Sequence, residues 1–398
     1  MPMPDPHTHL PEAAYALSAR LEALIRAEIH AAPDRAIPFH RFMELALYTP
    51  GLGYYSAGMA KFGAEGDFVT APELGTLFAG AVAEAVAPVL RQLGADAQFV
   101  EIGGGSGRFA EHAIGRLLAL GAMPARYAIL EPSADLRERQ REHLRRALPA
   151  DVFARVTWLD GPLHEPWRGV LFANEVIDAL PTPRFAIRGG EVFEEHVAVD
   201  AQGAFAITDR PADALLAAAV RHVERQLEAP FADGYRSELL PQLPYWIQAV
   251  IGGLDDGAML FVDYGHARRD YYRPERRDGT LRAFSRHRVG SAVLANPGLQ
   301  DLTASVDFTA LAEAGTGAGF DFAGYCNQAS FLLGNGIDRL LVECEAGAGD
   351  EAARYRLRQE VKQLTHPDAM GERFQVMGFA RDVDLDHAFL AGDLSHRL

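Results

Sequence analysis

The chain has 398 residues, 48% hydrophobic and 23% charged, enough for one large α/β core with accessory elements. Its 38 basic residues against 54 acidic ones leave a net charge of −16, which makes duplex nucleic acid and anionic membrane poor partners and leaves room for a basic protein. The two cysteines, Cys326 and Cys344, form no CxxC pair and have no His at ligand spacing, so a disulfide framework and a metal site are not expected.

The opening MPMPDPHTHLPEA has the layout of neither a secretion signal nor a mitochondrial presequence, and no apolar run approaches the roughly 20 residues that span a bilayer. A cytoplasmic location is the expectation. An Ala/Leu/Ile/Glu pattern over 11–32 predicts an amphipathic helix, followed by a short helix running into a Pro/Gly-rich loop. The segment KFGAEGDFVTAPEL then leads into a further helix, with Thr70 placed as an N-cap and Glu73 three residues later.

From residue 98 short apolar runs alternate with helical stretches: QFVEIG, RYAILE, RVTWLD and GVLFANE read as strands. Strands separated by helices imply right-handed crossovers and a parallel sheet covered on both faces, an α/β Rossmann-like fold. After residue 183 the rhythm breaks. RFAIRGGEVFEEHVAVD predicts a hairpin with a Gly-Gly turn, AFAIT a third strand, and 211–253 helices broken by a loop, before GAMLFVDYG returns as a buried strand. DFAGYCNQ and RFQVMGFA are two more strands near the end, with an antiparallel edge expected there. The expected organisation is an N-terminal helical segment and lid loop (1–95), a first core part (96–183), an inserted hairpin/helical substrate element (184–253) and a second core part (254–398).

The chemistry centres on FVEIGGGSGRF. A strand ends in Glu101, and Gly103, Gly105 and Gly107 follow at two-residue intervals before a helix, where the missing Cβ atoms let backbone approach a ligand. A dinucleotide fingerprint would need glycine at position 108, which is Arg108. An acidic residue two before the first glycine suits the sulfonium and amino group of S-adenosyl-L-methionine. Glu131, 24 residues beyond Gly107, stands where an adenosine-binding fold places a carboxylate for both ribose hydroxyls. Leu159 and Asp160 at the next strand end are placed for adenine and its amino group, or are an ordinary strand exit. Asn174 closes the following strand on the donor's side. If a helical turn follows, Glu175 and Asp178 share one side of it and can hold a guanidinium; acids at a solvated helix start are the competing reading.

These residues resemble the MidA-like methyltransferases, a family that includes the mitochondrial complex I assembly methyltransferase. The resemblance runs over nearly the whole chain: RFMELALYTPGLGYY, GDFVTAPEL (66–74), VEIGGGSGR, LEPSADLRERQ, ANEVIDALP, FVDYG (261–265), GTLRAFSRHRV and VDFT (306–309). It implies a class I methyltransferase fold and, by the mitochondrial member, arginine dimethylation of a respiratory complex I subunit. Ser305 stands where relatives have His before Val306-Asp307-Phe308, and the second glycine of the loop stands where Pro is common. Three functions stay open: a protein-arginine methyltransferase, a methyltransferase on another acceptor, and an assembly chaperone of the same fold. A carboxylate is needed beside the arginine nitrogen, Glu175 or Asp178, and the GDFVTAPE loop, with Asp67, Phe68, Thr70 and Glu73, is read as a lid over the donor. The sequence leaves oligomeric state open, a homodimer included.

Overall fold

The computed structural model describes residues 12–56, 70–285 and 288–398, with backbone alone at Arg288 and Val289. Asp67 and Phe68 lie outside the described residues. The chain divides into two compact units: Met1–Lys61, Ala179–Pro241 and Pro274–Ala304 form one, and Phe62–Asp178, Gln242–Arg273 and Ser305–Leu398 the other.

The larger unit is built on seven strands: β1 (Gln98–Ile102), β2 (Arg126–Leu130), β3 (Val156–Leu159), β4 (Trp167–Asn174), β5 (Leu254–His266), β6 (Asp321–Asn327) and β7 (Phe374–Arg381). Their order is β6-β7-β5-β4-β1-β2-β3. The five strands β1 to β5 run parallel, while β7 is antiparallel to both β5 and β6. A short strand, Val306–Asp307, adds in parallel to the end of β5 at Gly265 and His266. Helices Arg108–Ala119 and Ala134–Ala147 make the crossovers between β1, β2 and β3, as the strand–helix alternation predicts.

Burial on both faces explains the apolar runs: Ala258 to Val262 of β5 are each no more than 1% exposed. The core is closed by stacked rings, Phe99 on Tyr127 at 4.8 Å and Phe109 on Phe172 at 4.3 Å. Helix Leu77–Leu93 is apolar almost all round and buried almost all round. A Cβ at Gly169 would lie 1.9 Å from the Gln98 carbonyl oxygen, so only glycine admits β1 so close to β4. The sheet order reverses between β4 and β1, and an open α/β sheet takes its ligand in the crevice at the carboxyl ends of strands flanking such a point.

The smaller unit is antiparallel. Glu191–Val199 pairs along one edge with Phe205–Pro211 and along the other with Arg184–Arg188 over its first half and Ala36–Pro38 over its second, while Arg236–Glu238 pairs with the far side of Arg184–Arg188. Gly189 and Gly190, at φ +56° and +83°, make the tight turn of the expected hairpin. A three-stranded sheet of Arg288–Gly290, Arg282–Ser285 and Asp301–Thr303 completes it. Its core joins Leu21, Ile25 and Ile29 of helix Glu12–Ala31 to Phe39, Phe42, Val197 and Leu281. Among the described residues no helix is long and apolar enough to cross a membrane.

Two local expectations are corrected. Thr70 sits at the N-cap of the one-turn helix Ala71–Leu74, but its side chain makes no capping bond; Glu73, instead of reaching back, is drawn to the glycine loop. No helical turn follows β4 either: residues 175–178 are bends and turn, and Glu175 takes φ +54°.

Candidate functional site

β1 ends in a loop whose Gly103, Gly105 and Gly107 have φ of +69°, +51° and +88° before helix Arg108–Ala119. Side chains at Gly105 and Gly107 would strain this left-handed backbone, so the loop stays lined by backbone. At Gly104 a Cβ would lie 2.8 Å from Ile129 Cγ2 and 3.1 Å from Gln140 Nε2, which leaves the loop no room to retreat into the core.

Glu131, at the end of β2, is 6% exposed. Its Oε1 accepts the Ser133 N–H at 3.0 Å and its Oε2 the Gln140 Nε2–H at 3.3 Å. Gln140 also donates to the Gly105 carbonyl at 2.9 Å and accepts from Trp158 Nε1 at 2.9 Å, which ties the loop, the carboxylate and β3 together. Gln140 lies on the buried face of its helix with Leu136 and Leu144, and a polar residue on that apolar stripe was the sequence signal for its role.

Glu101 is 3% exposed and accepts the Tyr127 hydroxyl at 2.8 Å. Burial pushes its carboxyl up to about 8, opposed by the Tyr127 hydrogen bond and reinforced by the Glu131 charge. Near neutral pH the carboxyl therefore keeps its proton, and a cation bound beside it would favour the ionised form. Leu159 is buried at 7%, whereas the Asp160 carboxylate faces solvent and pairs with Arg137 at 2.6 Å. Asn174 Nδ2 donates to Glu175 at 3.1 Å, and its buried Oδ1 has no hydrogen-bond partner among the described residues.

Beyond β4 the chain is held by β5. Asp263 Oδ2 accepts the N–H groups of Ile177 at 3.0 Å and Asp178 at 3.2 Å, and its Oδ1 accepts that of Tyr264 at 2.8 Å. The Glu175 N–H donates to the Val262 carbonyl at 2.9 Å. Burial lifts the Asp263 carboxyl to about 7 against these backbone bonds. Asp178 is itself only 4% exposed. The Tyr264 phenol is held neutral, first by burial and then by the charges of Glu175, Asp178 and Asp263. Glu175 and Asp178 thus both act electrostatically on one phenol, and it is anchorage to β5, not helical spacing, that places them. Asp263 and Tyr264 escaped the sequence reading as site residues, although FVDYG is one of the landmark blocks.

From the other side, Glu73 is drawn to the Ser106 hydroxyl of the glycine loop and lies 3.6 Å from Arg108 Nε, with its side chain 7% exposed. Cys326 and Cys344 are free, and among the described residues no group of three or more His, Cys, Asp or Glu could hold a metal.

This donor set fits S-adenosyl-L-methionine. A backbone-lined loop can cradle its methionine portion, the Glu131 carboxylate at the end of β2 is an acceptor of the kind ribose hydroxyls need, and the unmatched Asn174 Oδ1 offers an acceptor to an amino group.

Comparison with known proteins agrees. Residues 81–326 match the family described as "Putative S-adenosyl-L-methionine-dependent methyltransferase". A crystal structure of a Burkholderia thailandensis protein bound to S-adenosyl-homocysteine is 40% identical, with TM-score 0.90 over 98% of this chain and 99% of the other. A native crystal structure of a protein from the same organism is 41% identical, with TM-score 0.87 over 98% and 99%. The mitochondrial protein arginine methyltransferase NDUFAF7 of Danio rerio is 29% identical over 84% of this chain and 81% of its own. With the fold, the glycine loop and the matched residues in agreement, the chain belongs to the family of S-adenosyl-L-methionine-dependent methyltransferases.

Proposed function

We propose that this methyltransferase modifies arginine side chains of a protein acceptor, with Glu175 and Asp178 holding the guanidinium, and that a respiratory complex I subunit is the acceptor. The observation that carries the reading is that Glu175 and Asp178, directly after β4, are both fixed by backbone bonds to Val262 and Asp263 of β5, with their charges both acting on the Tyr264 phenol. Paired carboxylates match the planar fork of an arginine, whose charge persists at all physiological pH. The relatives named protein arginine methyltransferases support the choice of acceptor.

S-adenosyl-L-methionine supplies a methyl group on a sulfonium leaving group. Gly103, Gly105 and Gly107 would bring backbone against it, Glu131 would take the ribose hydroxyls, Leu159 and Asp160 would serve the adenine, and Glu101 and Asn174 would hold the polar methionine end. Glu175 and Asp178 orient the acceptor nitrogen in line with the methyl carbon, and one of them receives the proton that nitrogen loses. Thr70 and Glu73, the latter drawn to the Ser106 hydroxyl of the glycine loop, would stand beside the donor and help keep water from the transfer.

The test is to incubate the pure protein with methyl-labelled donor and cell extract and identify the labelled residue by mass spectrometry. Methylarginine is expected. Asp178→Asn should abolish it, weakening guanidinium binding by about 2–4 kcal/mol, while S-adenosyl-homocysteine affinity stays unchanged. Methyl-lysine, a methyl ester or a methylated small molecule would overturn the acceptor.

A further inference from the structure

The smaller unit contains an open groove of about 960 Å³, all of whose lining residues belong to that unit. Its size is at the top of the roughly 300–1,000 Å³ of ligand pockets. Five guanidinium groups line it, those of Arg26, Arg184, Arg236, Arg277 and Arg282. Against them stand three carboxylates, Glu22, Glu195 and Asp278, so the lining carries an excess of positive charge on a chain of net charge −16.

The charges are not equally committed. Glu195, its side chain 2% exposed, is shared by Arg184 at 2.8 Å and Arg236, and Arg184 also holds Asp278 at 2.7 Å. These three-way pairings form a rigid, largely neutralised floor. Arg277 and Arg282 are exposed and make no ion pair among the described residues; Arg282 donates only to the Leu281 carbonyl, at 2.8 Å. The excess positive charge therefore sits at the rim, available to an anionic partner.

Apolar side chains line the same groove. Phe205 and Ile207 project from one face of strand Phe205–Pro211, and Ile207 is 38% exposed. Val293 and Leu294 line the groove as well. Among the described residues Phe205–Pro211 pairs with Glu191–Val199 alone, which leaves one edge for an extended chain. Free phosphate or a small anion would use the guanidiniums and waste the apolar wall. An extended polypeptide that alternates acidic and apolar side chains uses both.

We propose that this groove, none of whose lining residues is among those assigned to methyl transfer, docks an acidic, apolar-interleaved segment of the protein acceptor. The proposal rests on the protein-acceptor reading above. Such docking would raise the local concentration of the arginine to be methylated and select acceptors by sequence outside the modified residue.

The experiment uses the full chain and a fluorescein-labelled peptide of about ten residues alternating Glu and Leu, with a Lys-Leu counterpart, followed by anisotropy. The Glu-Leu peptide is expected to bind and the Lys-Leu peptide not to. The exposed double reversal R277E/R282E should weaken binding about tenfold, and added salt should do the same. Ile207→Ala should weaken it with less salt dependence. S-adenosyl-homocysteine affinity, measured by calorimetry on the same variants, should not move. Equal affinity in the double variant, equal binding of the Lys-Leu peptide, or displacement of the Glu-Leu peptide by a single-stranded oligonucleotide would each overturn the proposal. Peptide binding is read without chemistry, so a product other than methylarginine would refute the arginine reading while the docking result stands on its own.

Discussion

The Asp178 N–H donates to the Asp263 carboxylate at 3.2 Å, across 85 residues of chain, and that bond fixes a candidate catalytic residue from the neighbouring strand. The same oxygen holds Ile177, and Glu175, at φ +54°, is held between these anchors and its own bond to the Val262 carbonyl. Such backbone geometry persists only where the surroundings over-determine it. Asp263→Asn removes the charge that strengthens three backbone bonds. Turnover should fall by at least about tenfold and the fold should lose about 1–3 kcal/mol, with S-adenosyl-homocysteine affinity nearly unchanged. Steady-state kinetics with calorimetry check this; unaltered kcat would show that the loop needs no such anchor.

Glu101 links the site to stability through pH. Its carboxyl titrates at about 8 in the fold, above its ordinary 4.5, because burial disfavours the charged form. It is neutral in the folded protein and ionised in the unfolded chain between these values. Its contribution is therefore fully present below pH 4.5 and lost as pH rises through about 8. Asp263, raised from 3.8 to about 7, acts in the same direction over its own window. Glu101→Gln does not ionise, so it should gain stability over the native chain at pH 8 and not at pH 4, by roughly 1–3 kcal/mol. It should also bind S-adenosyl-L-methionine more weakly, having lost the carboxylate that a cation would draw out. Denaturant melts at the two pH values decide the first point, and calorimetry the second.

Glu131→Ala should weaken S-adenosyl-homocysteine binding by about 1.5–3 kcal/mol, since charge-assisted hydrogen bonds to the ribose disappear. NAD should bind neither form. Calorimetric detection of NAD binding, or an unchanged affinity in the variant, would remove Glu131 from the donor site.

Two glycines separated by ten positions should respond oppositely. Gly105 stands at φ +51°, so Gly105→Val should abolish donor binding with the far-UV spectrum preserved. Gly115 lies within helix Arg108–Ala119, and a Cβ there meets nothing within 4 Å. Gly115→Ala should therefore bind normally and melt higher, by about 0.5–1 kcal/mol of helix propensity. Normal binding by the Gly105 variant would mean that the loop does not cradle the donor.

What the sequence by itself determined follows from local periodicity and local backbone chemistry. Strands β1 to β5, their crossover helices, the antiparallel edge and the Gly-Gly hairpin were legible because burial imposes a period on each segment. The glycine loop and Glu131 were legible because a close backbone approach and a strand-end carboxylate need particular residues at particular spacing. Tertiary structure decided the rest. Helical spacing does not join Glu175 to Asp178: the loop turns as Asp263 and Val262 of β5 direct. Glu73 leaves its cap for Ser106, because the glycine loop lies beside it in the folded unit. Tyr264 and Gln140 join the candidate site through bonds and charges that span strands and helices, and the rim arginines Arg277 and Arg282 meet Phe205 and Ile207 only where separate segments fold into one groove. Contacts between residues far apart in the chain leave no period in it, so only the folded chain reveals which groups meet.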